Sequence, residues 1–165
     1  MNQDRDTIMK FQENPTLRNK YMRAAFKEAE KAFDKDEVPV GAVVVFEGKI
    51  IAKDHNRRET KQAFHAHAEF LAMQKAAKKI GSWRLEACDI YVTMEPCPMC
   101  AGAMIQSRVR SIHYATKDPK SGAHTSILDL FNHPFNHHVI VTNGTMEKEC
   151  RELIQSFFRK LRDKK

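Results

Sequence analysis

The stretch Val38-Pro39-Val40-Gly41-Ala42-Val43-Val44-Val45-Phe46, followed by Glu47-Gly48-Lys49 and Ile50-Ile51-Ala52, narrows most sharply what this chain can fold into. A β-branched run, a turn and a second apolar run predict a β-hairpin. Helical patterns flank it. Upstream, Asn14-Pro15-Thr16 offers a cap, and Met22, Ala25, Phe26, Ala29 and Phe33 recur at helical steps. Downstream, His55 to Phe64 reads as a polar loop, and Ala66 to Lys79 as a helix that stops before Gly81. Asp89 to Thr93 predicts a strand. Pro96 forces Glu95 extended, and Pro98 suits the first turn of a helix running through Met104 toward Ser107. Ser111 to Ala115 reads as a strand and Lys117 to Ser126 as a loop. His138 to Thr142 reads as a strand leading past Asn143-Gly144 into a terminal helix striped by Leu153, Ile154, Phe157, Phe158 and Leu161. This order implies an α/β fold, a sheet of about five strands with helices on both faces.

The length of 165 residues suits a single domain, 1–165, with residues 1–13 a frayed lead-in and 146–165 a basic C-terminal helix. No run of about 18 apolar residues exists, and the start lacks the apolar stretch of a signal peptide, so no membrane partner is expected and the cytoplasm is the expected location. Reduced thiols are expected there, which favours a metal or catalytic role over a disulfide for a close pair among Cys88, Cys97, Cys100 and Cys150. The net charge of +7 favours a polyanionic partner. Residues 151–165 hold six bases against two acids, so the tail carries most of that excess.

Cys97 and Cys100 stand three apart at a helix start, where the dipole favours thiolates, and together can grip one soft cation. Two thiolates do not complete a site. His67-Ala68-Glu69 can place an imidazole on the metal with a carboxylate beside it, an arrangement that activates water. One His and two Cys leave a fourth position for solvent. Alone, Cys-x-x-Cys also fits a thioredoxin-like redox pair. His65 faces elsewhere than His67. His55, His113, His124 and His138 read as surface or satisfied polar residues, and Cys88 and Cys150 as small buried or half-buried hydrophobes.

With His-x-Glu followed by Pro-Cys-x-x-Cys, the chain is similar to the zinc nucleobase deaminases. From about Tyr21 to Arg162 it resembles the bacterial tRNA adenosine deaminase family in several further pieces. These are Glu37 to Val43, Asn56-Arg57, Thr93 to Met104, Asp118 to Ala123, His133-Pro134 with Asn136-His137, and Phe157-Phe158-Arg159. Ala115-Thr116 and His124-Thr125-Ser126 depart from the family's usual small residues around the Asp118 loop.

The resemblance implies a cytidine-deaminase-like three-layer fold with a mixed sheet. It implies a hydrolase that converts adenosine to inosine at the wobble position of a tRNA anticodon and releases ammonia. One zinc ion (Zn2+) per subunit would be held by His67, Cys97 and Cys100, with Glu69 as the catalytic proton shuttle. Asn56 and Ala68 would meet the base. Asp118, Lys120, Ser121, His133, Asn136, His137, Phe158 and Arg159 would meet RNA, through charge and stacking. At most one of Phe157 and Phe158 is free for RNA, since both fit a core stripe. A homodimer is implied; DNA is not an expected partner. A free-base or nucleotide deaminase acting on guanine or cytosine shares the zinc core but needs no basic tail. A non-enzymatic RNA-binding subunit would have no use for Glu69.

Overall fold

The structure, a computed structural model, describes residues 14–164, so the lead-in expected over residues 1–13 lies outside the described residues. Helix α1 (Pro15–Asp34) starts where Asn14 accepts from the Thr16 and Leu17 amides. The hairpin is β1 (Gly41–Phe46) with β2 (Lys49–His55), paired antiparallel. A one-turn helix α2 (Arg58–Lys61) interrupts the segment expected to be loop. Glu37 explains it: its buried carboxylate accepts from the Glu59 and Thr60 amides, both at 2.9 Å, and so satisfies the donors of that first turn.

Helix α3 (Ala68–Ile80) ends on Gly81 in the left-handed conformation, as expected. Then come β3 (Cys88–Met94), α4 (Pro98–Gln106) and β4 (Ser111–Thr116). Residues 117–139 connect β4 to the last strand with a single 3-10 turn at Leu130–Asn132. The last strand, β5 (Ile140–Asn143), starts two residues later than the expected His138, and α5 (Glu147–Asp163) closes the fold.

The sheet order is β2-β1-β3-β4-β5, antiparallel across β2, β1 and β3 and parallel across β3, β4 and β5. This is the mixed five-stranded α/β sheet that the sequence implied. Alternation along β1 sorts the layers. Val43 and Val45 meet Tyr21, Met22 and Ala25 of α1 and Cys150 of α5. Ala42 and Val44 meet Ala68 and Ala72 of α3 and Met104 of α4. A Cβ at Gly41 would strike the Ala25 carbonyl oxygen and the Ala29 amide nitrogen, so α1 lies this close to β1 only over glycine.

His113 ties the parallel half of the sheet together. The Ser111 hydroxyl donates to Asp89, so it accepts from His113 Nε2 at 3.0 Å, and Nδ1 accepts from the Thr142 hydroxyl at 2.5 Å. The ring stacks on Tyr91 with centroids 4.5 Å apart. Burial pushes His113 down to about 4; Asp89, itself bound by Arg110, pulls the other way, and Arg18 and Arg110 reinforce the fall. Below an ordinary pKa of 6.5 the unfolded chain takes up a proton that the folded chain refuses until about 4. Stability from this group is therefore complete above 6.5 and declines as pH falls toward 4, by about 3 kcal/mol at 1.36 kcal/mol per unit. Urea unfolding of wild type and His113→Gln at pH 7.5 and pH 5 checks this: the loss on acidification should shrink in the variant.

Candidate active site

Two helix N-termini converge at the carboxyl end of β3. His67 is the N-cap of α3 and Cys97 the N-cap of α4, and neither side chain caps its own helix. Both are therefore free to point outward into the site. Pro98 fixes the first turn of α4 and sets Cys100 one turn on. His67 Nδ1 lies 3.5 Å from Cys97 Sγ and 3.6 Å from Cys100 Sγ. A nitrogen and a sulfur bound to one tetrahedral zinc at ordinary lengths stand about 3.6 Å apart. The spacing fits the ion. Protonation fits too. The Cys100 thiol donates to Cys97 and pushes its pKa down to about 4, with His67 assisting, while Cys100 is itself raised by that bond and by burial. The Cys97 sulfur in turn raises His67. These three groups hold protons among themselves that a cation would displace.

Glu69, at the second position of α3, is 4% exposed and faces the same pocket. Burial pushes its carboxyl up to about 7, with His67 pulling against it. The pocket holds about 170 Å³ and is lined by Val38, Val40, Ala68 and Met94 with Asn56, Arg58, Asp118 and Ser121 as polar groups. That is below the roughly 300–1,000 Å³ of a drug-sized site and suits a single ring system. Asn56 is oriented from both ends: Nδ2 donates to the Val38 carbonyl at 3.2 Å, and Oδ1 accepts from the Arg58 amide at 3.0 Å. One amide hydrogen and one lone pair remain for a purine edge.

The far wall, residues 117–126, is hung on one carboxylate. Glu95 Oε1 accepts from the Asp118 amide (3.1 Å) and the Ser126 hydroxyl (2.5 Å); Oε2 accepts from the amides of His124 (2.9 Å), Thr125 (3.0 Å) and Ser126 (3.2 Å). Burial would raise Glu95, but these bonds outweigh it and hold the carboxyl below its usual range. A Cβ at Gly122 would sit on the Glu95 carboxylate, so only glycine lets the loop close. Asp118 then accepts from the Lys120 and Ser121 amides and shapes the turn.

The structure brings His67, Ala68, Glu69, Cys97, Asn56, Asp118 and Ser121 to one pocket, with Cys100 against it. Lys120, Phe158 and Arg159 share a neighbouring depression with Gln155, Leu161 and Arg162. Phe157 is buried and Phe158 is 41% exposed, so the stripe leaves one ring outside. His133, Asn136 and His137 are not brought to the pocket. Asn136 accepts from Arg108 and His137 bonds the Val109 carbonyl, beyond the opposite end of α4, about 13 Å of helix from Cys97. His55 and His113 are buried at 2% exposure: His113 is the satisfied polar residue that one of the two readings expected, bonded through both ring nitrogens, while His55 Nδ1 makes no hydrogen bond among the described residues. Three residues shape the pocket without a local sequence signal for it: Glu95, Glu37 and Arg58. Glu95 stands two before Cys97, and the sequence marked it only as the extended residue before Pro96.

Among the described residues no helix is long and apolar enough to cross a membrane. The profile of the MafB19-like deaminase family matches residues 17–162. The tRNA-specific adenosine deaminase of Bacillus subtilis is 50% identical over 146 residues, spanning 88% of this chain and 91% of that one. That of Aquifex aeolicus is 39% identical over 143 residues, spanning 87% and 95%. Among solved structures, a tRNA:A34 deaminase studied for A-to-I editing superposes with a TM-score of 0.78 at 41% identity, covering 81% of this chain and 97% of that one. A guanine deaminase from Nitrosomonas europaea superposes at 0.70 with 27% identity, covering 84% and 83%.

Proposed function

The chain belongs to the tRNA-specific adenosine deaminase family, and from that membership we propose that it deaminates adenosine to inosine at the wobble position of a tRNA anticodon, with one zinc ion per subunit. Its fold is the cytidine-deaminase-like one of its structural relatives. The observation that carries the reading is the 3.5 and 3.6 Å spacing of His67 from the two sulfurs, with Glu69 buried beside them in a ring-sized pocket. His67, Cys97 and Cys100 hold the zinc. When bound, zinc makes hydroxide available near neutral pH.

Glu69 takes a proton from water at its carboxylate and delivers it to the purine ring nitrogen beside the amino-bearing carbon. The water oxygen bonds to that carbon. Glu69, again a carboxylate, then takes the proton of the new hydroxyl and passes it to the departing amine; the carbon–nitrogen bond breaks, and ammonia leaves an inosine carbonyl behind. Asn56 orients the base by its edge, and Ala68 and the two valines pack its face. Asp118, Ser121, Lys120, Phe158 and Arg159 take the flanking nucleotides by charge and stacking. The chain acts as one deaminase domain with α5 as its basic end, in the cytoplasm. It pairs with a second copy, for which the apolar groove of Phe70, Met73, Ala77, Trp83, Leu85 and Ala103 offers a face.

Metal analysis of the purified chain should give one zinc per subunit, and His67→Ala should lose it. The wild type should form inosine in an anticodon stem-loop and leave free guanine, cytosine and adenosine unchanged. Turnover of guanine with no inosine in RNA would move the chain to the free-base deaminases.

A further inference from the structure

A second cationic surface lies outside the pocket, along the edge of the sheet. Lys20, Arg23, Lys27 and Lys31 recur at three- and four-residue steps, so they form one stripe of α1, about 16 Å long. They face β2, the unpaired edge strand, and α3 lies across it, enclosing a groove of about 850 Å³. Lys53 of β2 with Lys75 and Lys79 of α3 line the other wall.

Two of these cations are spent locally: Lys31 bonds Glu28 and Lys75 bonds Asp54. Lys20, Arg23, Lys27, Lys53 and Lys79 meet no carboxylate among the described residues, and Glu28 is the only acid in the lining. Lysines on an edge strand guard against sheet-to-sheet pairing. That duty falls to Lys49 and Lys53, however, and does not call for a parallel row on a helix.

The groove also has a direction. At one end the Tyr21 hydroxyl donates to the Gly48 carbonyl in the hairpin turn. At the other, β2 runs through His55 into Asn56, whose amide donates to the Val40 carbonyl at the pocket rim. Lys53 is three residues from Asn56, about 10 Å along the strand. Lys75 and Lys79 lie eight and twelve residues from His67, about 12 and 18 Å down α3. The trench thus begins near the base pocket and leads away from it.

We infer that this groove binds the phosphate backbone of the helical part of the substrate RNA, outside the loop that enters the pocket. The inference rests on the RNA-editing reading above for the identity of the polyanion. Phosphates match a row of solvated ammonium groups without demanding fixed geometry, and their release of counterions makes the contact dependent on salt.

The test uses the zinc-loaded full chain and the variant Lys20→Gln/Arg23→Gln/Lys27→Gln, none of whose positions touches the pocket. Binding is measured by anisotropy over a salt series against full-length tRNA and a seven-nucleotide anticodon-loop oligomer. For tRNA the variant should bind at least tenfold more weakly at low salt, with a slope of log affinity against log salt shallower by about 2 to 3. Its KM for tRNA should rise with kcat held, while the oligomer is bound and turned over as by wild type. Lys53→Gln/Lys79→Gln, on the other wall, should act in the same direction and covers the case that the α1 variant folds poorly. Lysine-to-arginine exchange at 20 and 27 should keep wild-type binding. Unchanged tRNA affinity and slope in both neutralised variants would overturn the inference, and aggregation alone would assign the groove to edge protection. Wild type that binds tRNA through the groove yet makes no inosine would refute the proposed reaction and not the groove.

Discussion

Glu69→Gln should retain one zinc per chain and bind RNA within about twofold of wild type, while inosine formation falls by about a thousandfold or more. Proton transfer by a positioned side chain contributes about 10²–10⁴, and here the same carboxyl is asked to move protons more than once. Glutamine keeps the shape and loses the transfer. Because burial raises the Glu69 carboxyl to about 7, exchanging it for a neutral amide should leave the melting temperature level or slightly higher. Single-turnover inosine assays on an anticodon stem-loop, with metal content and melting measured on the same preparation, separate the alternatives. Near-normal turnover would take the shuttle role from Glu69. Loss of zinc would make it part of the metal site.

The second large effect belongs to Glu95. Glu95→Ala strips the acceptor from four main-chain amides and the Ser126 hydroxyl. A buried donor left without a partner costs about 1–3 kcal/mol, and water can reach part of this half-exposed loop, so a loss of about 3–5 kcal/mol is expected. Glu95→Gln should fall between, because its amide nitrogen would face amides that also donate. Hydrogen exchange at Asp118 and His124 to Ser126 should rise sharply in Glu95→Ala, and KM for RNA should rise with it. Zinc content should not change, since Glu95 touches none of the three ligands. Protection of those amides at wild-type levels would mean that the loop is held by something else.

These two glutamates also mark what could be read from the sequence. Glu69 announces itself because its partner His67 is two residues away, and the caps Asn14 and Gly81 and the first-turn Pro98 announce the helices in the same local way. Glu95 and Glu37 do not: the amides they hold lie 22 to 31 residues onward, and nothing near either residue in the chain points to them. The hairpin was legible from composition and turn chemistry. The connection of residues 117–139 was not, since its course follows from what it docks on. His133, Asn136 and His137 illustrate the limit from the other side. They resemble family positions, yet a residue's place in a motif does not say which end of α4 it will occupy.

The carboxylate fan at Glu95 grips almost entirely through peptide N–H groups, which every residue but proline supplies. Exposed side chains on that wall, such as those of Lys120 and Ser121, can therefore drift without loosening it, provided Glu95, Asp118 and Gly122 stay, whereas His124 is also tied to the Tyr114 hydroxyl at 2.7 Å. The face that this wall presents beside the pocket can thus change its charge and shape while the main chain behind it, and the cluster of His67, Cys97 and Cys100, stay where they are.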